Sequence, residues 1–372
     1  MKKILIAAEI FPPDIGGPAT YSQKIFNQFK KLGYAVELIC YSDKPGADLA
    51  VRILRSKNPL KHYWRYFKKL KELAKDCDLI YAQGPVSSGL PAAIVGKILN
   101  KKVVVKVVGD YAWEQARNLK ITEVGIDDFQ KKSFGGKIGS LQRIQAWVCQ
   151  QSAKVIVPSQ YLKKIVSGWG VSEEKIEVIY NSFDLEFSDK FQTPDKNLIV
   201  SVGRLVPWKG FDTLIGLMPE LLQQNSDFKL KIFGFGPQKE RLEKLISDLK
   251  LENNVSISNV SHQEVVSNLS AAGIFVLNTG YEGLSHTILE AMAASVPVVT
   301  TNIGGNPELI ENEKNGLLIE YNNKEELKAA ILKIYNSPEL GQKFVENSKK
   351  VLEKFTFEEM INRTVDVLES IK

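Results

Sequence analysis

Glu282 and Glu290 stand eight residues apart in YEGLSHTILEAMAA, the first in a loop after the apolar run IFVLNT, the second inside an apolar, helix-forming segment. A helix starting near Ser285 points its amides back toward that loop. Glu290 then lies roughly two turns from Glu282, within reach of the hydroxyl groups of a ligand. Carboxylates are the usual acceptors for ribose hydroxyls in nucleotide sites. Taken alone, the pair also reads as two solvated glutamates at helical spacing.

SVGRLVPWKGFDTLI places Arg204 and Lys209 just past a strand and ahead of a helix. Two cations there suit a diphosphate, Arg with a planar donor fork and Lys with a point charge. Near the N-terminus, PPDIGGPATY puts Gly16 and Gly17 between an opening strand and a helix beginning near Thr20. Bare backbone at a helix N-terminus admits a phosphate closely, although a tight turn needs such glycines too. The run is not G-x-G-x-x-G, and neither is GFGPQK, so the dinucleotide fingerprint of a Rossmann oxidoreductase is missing.

His62, His262 and His286 are too scattered for a metal site, and Asp76-Cys77-Asp78 leads into a strand as an ordinary strand start. Cys40, Cys77 and Cys149 have no metal or disulfide spacing, which points to a reducing, cytoplasmic setting. Trp113 and Trp208 read either as sugar-contacting faces or as packing. The opening MKKILIAAEIFPPD breaks at Glu9 and Pro12–Pro13, so it reads as a buried first strand rather than a signal peptide. No apolar run approaches the ~20 residues of a spanning helix, and any membrane association is expected to be peripheral.

The elements that must hold these residues alternate. Short β-rich runs (KILIAA, AVELICY, VRIL, DLIYAQ, KVVVKVV, KVIVPS, KIEVIYN) are separated by helical periods, the pattern of a parallel sheet covered on both faces. Residues 187–197, polar and with a proline, interrupt it. The alternation restarts with LIVSVGR, LKIFGFG, VSISNV, IFVLNT and VPVVTTN and ends in charged helical patterns from about Lys324. The length, 372 residues, fits two Rossmann-like lobes, an α/β architecture with ligands outside the carboxyl ends of the strands. The composition, 44% hydrophobic and 25% charged, excludes a disordered or collagen-like chain. The net charge of +6 is unevenly placed. Residues 1–190 carry 30 Lys and Arg against 19 Asp and Glu, a net of +11, and the rest 19 against 24, a net of −5. An anionic surface or ligand should meet the first lobe.

GGPATY, GRLVPWKG, EGLSHTILEAMA, PVVTTNIGGNPELI and NGLLI, in this order and spacing, resemble the retaining nucleotide-sugar glycosyltransferases of family 4, with the two-lobe GT-B fold. The resemblance covers nearly the whole chain and is most specific over residues 200–320. It implies an acceptor lobe over 1–187, a donor lobe over 192–354, an active-site cleft between the lobes, and a last helix within 355–372 that returns to the first lobe. Arg204 and Lys209 match the family's basic pair on the donor diphosphate. Glu282 and Glu290 match its E-x₇-E glutamates, the first near the donor sugar's hydroxyls and the second on the nucleotide ribose. Leu284, Ser285 and His286 would lie near sugar and phosphate with their backbone amides, and Gly16 and Gly17 in the loop over the donor phosphates. Asp110, in VVVKVVGDYAWEQ, sits where family members often carry histidine facing the donor sugar. It is expected either to join the catalytic set with Glu282, Arg204 and Lys209 or to cap the following turn.

The implied activity is sugar transfer, with retention, from a nucleotide-diphosphate sugar to a hydroxyl acceptor, without metal or further cofactor. A lipid-linked or polysaccharide glycan of the cell envelope is the expected acceptor. A glycosyl phosphorylase on the same fold and a non-catalytic nucleotide-sugar binder are the rivals. Residues 57–75, KNPLKHYWRYFKKLKELAK, place Leu60, Tyr63, Trp64, Phe67, Leu70 and Ala74 on one helical face among lysines. That mixture suits an anionic membrane, equally an ordinary sheet-covering helix. No nucleic-acid motif accompanies it.

Overall fold

The computed structural model describes residues 2–14, 17–46, 50–183 and 194–371. The chain divides into two compact units, Met1–Ile179 together with Met360–Lys372, and Tyr180–Glu359. The division falls earlier than the expected boundary at 187. Most of the expected linker lies outside the described residues, and Asp195 already begins a strand.

Unit 1 holds strands β1 (Lys3–Ala7), β2 (Ala35–Ser42), β3 (Ala50–Leu54), β4 (Leu79–Ala82), β5 (Lys102–Lys106), β6 (Lys154–Val157) and β7 (Ile176–Val178). They form one parallel sheet in the order β3-β2-β1-β4-β5-β6-β7. Its helices are α1 (Gly17–Lys31), α2 (Pro59–Leu73), α3 (Gly89–Leu99), α4 (Tyr111–Asn118), α5 (Ile126–Gln130), α6 (Gly136–Gln151) and α7 (Gln160–Gly168). Helices on both faces leave the central strands no solvent side, so they read as continuous apolar runs. Leu5, Ile6, Ala7, Val104 and Val105 are fully buried. Polar residues mark where helices begin and end. Asn58 accepts from the Leu60 amide ahead of α2, with Pro59 in the first helical position. Ser159 accepts from Leu162 ahead of α7, and Asn100 closes α3 in the left-handed conformation.

Unit 2 holds β8 (Asp195–Val202), β9 (Lys229–Phe233), β10 (Val255–Ser258), β11 (Ala272–Leu277), β12 (Val298–Thr301) and β13 (Leu317–Ile319), parallel, in the order β10-β9-β8-β11-β12-β13. Its helices are α8 (Phe211–Gln224), α9 (Lys239–Asp248), α10 (His262–Ser270), α11 (His286–Ala293), α12 (Lys324–Asn336) and α13 (Pro338–Leu352). One buried cluster joins Ile199, Leu214, Met218, Leu230 and Ile331 on one face of the sheet. The other joins Val200, Leu269, Phe275, Ile288 and Met292 beneath α10 and α11. β13, in NGLLI, was not among the expected strands; at three residues it is too short to show a period.

The last helix, α14 (Phe357–Ser370), belongs to unit 1 from Met360 onward. The Lys2 ammonium donates to the carbonyls of Leu368 at 2.8 Å and Ile371 at 2.6 Å, and the Thr364 hydroxyl bonds the Tyr21 hydroxyl of α1. In both sheets the strand order reverses once, between β1 and β4 and between β8 and β11. The loops leaving those strands flank the crevice where open α/β sheets bind ligands.

Candidate functional site

In unit 2 the β8 loop carries Arg204 and Lys209, and the β11 loop carries Glu282. Because β8 and β11 are neighbours, Lys209 and Glu282 meet across the reversal as an ion pair, with side chains only 11% and 15% exposed. The two loops are stitched together by the backbone. Gly280 donates to the Trp208 carbonyl at 2.7 Å, and Asn278 donates to the Gly210 carbonyl at 3.0 Å. Gly210 is left-handed at φ 57, and a Cβ there would run into Asn278. The Glu282 loop is braced from its other side by the glycines of TNIGGNPELI. The Gly305 amide donates to the Glu282 carbonyl at 3.0 Å. A side chain on Gly304 would strike that carbonyl, and one on Gly305 would strike Gly283. Glycine is required there by close approach of backbone to backbone.

α11 starts where the Glu282 loop ends. Ser285 is its N-cap, buried, accepting from the Ile288 amide at 3.3 Å; Leu284 is buried before it, and His286 is exposed as the first helical residue. The N-terminus of this helix therefore lies just past Glu282, where a helix dipole favours an anion. Further along α11, the Glu290 carboxylate takes His262 Nε2 at 3.0 Å. His262 opens α10, held there by the reciprocal Ser261–Glu264 capping box. Arg204 is exposed, its guanidinium 5.9 Å from the centre of the buried Trp208 ring. That burial gives Trp208 the packing role, and Trp113 is buried in the same way.

In unit 1 Gly17 is the first residue of α1, and a Cβ on it would meet nothing within 4 Å; Gly16 lies outside the described residues. Of the two expectations for Asp110, its surroundings show the cap. Asp110 is fully buried and caps α4, accepting from the Trp113 amide at 3.0 Å, from Gln145 at 2.9 Å and from Gln130 at 2.8 Å. Burial raises its carboxyl above the ordinary range against these donors. The alternative, a cap, is what the chain builds. The face expected on α2 is also different: Tyr66, Leu70 and Ala74 are buried, whereas Leu60, Tyr63 and Trp64 are 79%, 44% and 61% exposed.

Sequence reasoning missed two groups. His262 serves as partner to Glu290 rather than as a metal ligand, and its place after VSISNV, at a helix start, is the available signal. Glu9, which breaks the apolar run of β1, accepts from Ser87 beyond β4, a meeting that only the strand order reveals. Among the described residues, no three His, Cys, Asp or Glu gather as a metal site, and no helix is long and apolar enough to cross a membrane.

Comparison with known proteins agrees with this layout. Residues 15–187 match the model described as Glycosyltransferase Family 4, and residues 183–351 the one described as Glycosyl transferases group 1. The chain is 28% identical over 364 residues to a glycosyltransferase of Haemophilus influenzae, covering 95% of this chain and 96% of that one. It is 31% identical over 220 residues to glycosyltransferase MJ1178 of Methanocaldococcus jannaschii, where the match takes in 59% of this chain and 60% of the relative. In structure it resembles Anabaena Alr3699/HepE in complex with UDP and glucose, at TM-score 0.80 and 19% identity, with 100% of both chains covered. The chain belongs to the family 4 glycosyltransferases, and its two Rossmann-like halves are those of the GT-B fold.

Proposed function

We propose that this protein moves a sugar from a nucleotide-diphosphate sugar to a hydroxyl acceptor with retention at the anomeric carbon. The observation that carries the reading is the Lys209–Glu282 pair, set beside the N-terminus of α11 at the strand-order reversal. As the glycosidic bond breaks, negative charge grows on the departing diphosphate. Lys209, Arg204 and the amides at Leu284, Ser285 and His286 are the donors for that charge. They are fixed in place before the reaction, which is what makes such stabilisation effective. Glu282 takes hydroxyls of the donor sugar, Glu290 those of the ribose, and the α1 glycines approach the phosphates. The bound structure of Alr3699/HepE, with UDP and glucose, supports a nucleotide sugar as the partner.

With these cations and amides in place the reaction needs no metal. Release of nucleoside diphosphate from UDP-, GDP-, ADP- and dTDP-sugars with a panel of hydroxyl acceptors tests the reading. Sugar phosphate as the substrate would select a phosphorylase, and binding without release a sensor. Activity abolished by chelator and restored by a divalent ion would overturn metal independence.

We further propose that the acceptor is a lipid-linked or polysaccharide glycan met at the cytoplasmic face of an anionic membrane. The net +11 over residues 1–190 and the exposed Leu60, Tyr63 and Trp64 beside exposed Lys61, Arg65 and Lys68 support this. Binding to vesicles containing anionic lipid at low salt, lost on Trp64→Glu, is expected; no binding to them at all would sink it.

A further inference from the structure

Lys106, the last residue of β5, is buried and takes no part in the proposed transfer. Its Nζ has no hydrogen-bond partner and stands 3.5 Å from the centre of the Tyr21 ring. Burial is the whole cause of its lowering from 10.5 to about 7, with no carboxylate contributing. The phenols grouped with it, Tyr21 and Tyr81, are kept protonated by burial. On α14, Glu358, Glu359, Asp366 and Glu369 are exposed and Arg363 is partly so. A neutral amine can rest in this place, but an ammonium finds only the face of a ring to meet its charge.

Tyr21 is also the middle of a hydroxyl chain that joins three elements. Its hydroxyl lies 2.9 Å from that of Tyr81 on β4 and bonds Thr364 on α14. Thr364 gives its one hydroxyl hydrogen to the Met360 carbonyl at 2.7 Å. Tyr21 must therefore donate to Thr364, and Tyr81 to Tyr21, so that all three hydrogens are used.

The ring that covers Lys106 thus carries a side-chain bond between α1 and the first half of α14. The second half is held elsewhere: Lys2 donates to the carbonyls of Leu368 and Ile371, and Tyr34 bonds Glu369. Met360, where the chain returns to unit 1, and Ile361 begin the buried face of α14.

We propose that Tyr81, Tyr21 and Thr364 form a latch on the first half of α14, and that the latch opens as Lys106 takes up a proton. Parting Thr364 from Tyr21 lets water reach the amine, which then titrates as an ordinary lysine. Between about pH 7 and 10.5 the open form holds more protons than the closed one. Opening is therefore favoured as pH falls through that window, by about tenfold per unit, and levels off below 7. The latch is independent of the transferase reading.

The test follows backbone amide exchange of the full chain by NMR from pH 6 to pH 9, with rates corrected for the intrinsic effect of pH. Protection of residues 361–365 should fall about tenfold per unit from pH 9 to pH 7 and stay level below. Residues 367–370 and unit 2 should change much less. In Lys106→Met the 361–365 amides should stay protected and level across the range. Tyr21→Phe keeps the ring and loses the hydroxyl bonds, and should lower their protection about fivefold at pH 9. Should Lys106→Met not fold, the Lys106 ε-carbon signal of the parent, identified by its contact with the Tyr21 ring, decides: it must titrate near pH 7, where exchange levels off. An ε-carbon that titrates as an ordinary lysine overturns the proposal. So does a flat exchange profile, a pH dependence that survives in Lys106→Met, or one shared equally by all amides of unit 1.

Discussion

His262 Nε2 lies 3.0 Å from Glu290 Oε1, joining the first residue of α10 to the interior of α11. One carboxylate oxygen is therefore held, so the pair orients the group proposed for the ribose. Glu290→Gln should weaken UDP binding about tenfold by calorimetry, as loss of a charge-assisted hydrogen bond does. His262→Gln should weaken it less. A Glu290→Gln protein that binds UDP normally removes Glu290 from the site.

Lys209 and Glu282 offset each other's charge where little solvent reaches them. Removing one partner strands the other, which is costlier than removing both. In urea, Lys209→Met alone should destabilise more than the double variant Lys209→Met/Glu282→Gln. Turnover should instead fall about 10²- to 10³-fold in each, because the donor to the departing diphosphate is gone in both. Equal stability of the single and double variants would contradict the coupling.

Asp110→Asn tests the capping assignment. Asparagine keeps an acceptor for the Trp113 amide but faces two glutamine amides that a carboxylate satisfies better. A stability loss of about 1–3 kcal/mol is expected, with turnover at 20 °C within a few-fold of the parent. A loss of turnover of about 10³-fold in a protein of unchanged stability would return Asp110 to the chemistry.

Lys106 ends β5 under the ring of Tyr21, its ammonium 3.5 Å from the ring centre and without a hydrogen-bond partner. Burial lowers it from 10.5 to about 7. The unfolded chain then holds more protons between those values, so stability should rise from pH 7 toward pH 10, by up to about 1.4 kcal/mol per unit. Glu9, raised from 4.5 to about 7, acts in the opposite sense below neutrality: its contribution is full below pH 4.5 and lost as pH rises to 7. These two groups place a stability minimum near pH 7. Lys106→Met should raise stability at pH 7 and flatten the alkaline limb in denaturant titrations. An unchanged limb would show that Lys106 titrates normally.

The alternating architecture was legible because strands covered on both faces must be apolar throughout, as in KILIAA and KVVVKVV. The spacing of Glu282 and Glu290 was legible because both lie on one loop and the helix it feeds. What could not be read is which strands are neighbours. Lys209 meets Glu282, and Glu9 meets Ser87, only because the sheets reverse at β8/β11 and β1/β4. Asp110 was ambiguous for a related reason: Gln130 and Gln145, which occupy it, come from α5 and α6. On α2 the helical period was visible, but Tyr66 rather than Trp64 faces the sheet, since the period fixes a stripe's width and not its azimuth.

Lys2 and Thr364 set an order of assembly. A ribosome releases everything unit 2 needs before it releases the residues that complete unit 1. The nascent first unit must therefore wait, with Tyr21 of α1 lacking its Thr364 partner, until α14 arrives. A fragment stopping at 179 lacks that partner permanently. A circular permutant joining residue 371 to residue 2 by a short linker makes unit 1 contiguous and lets it fold as one piece.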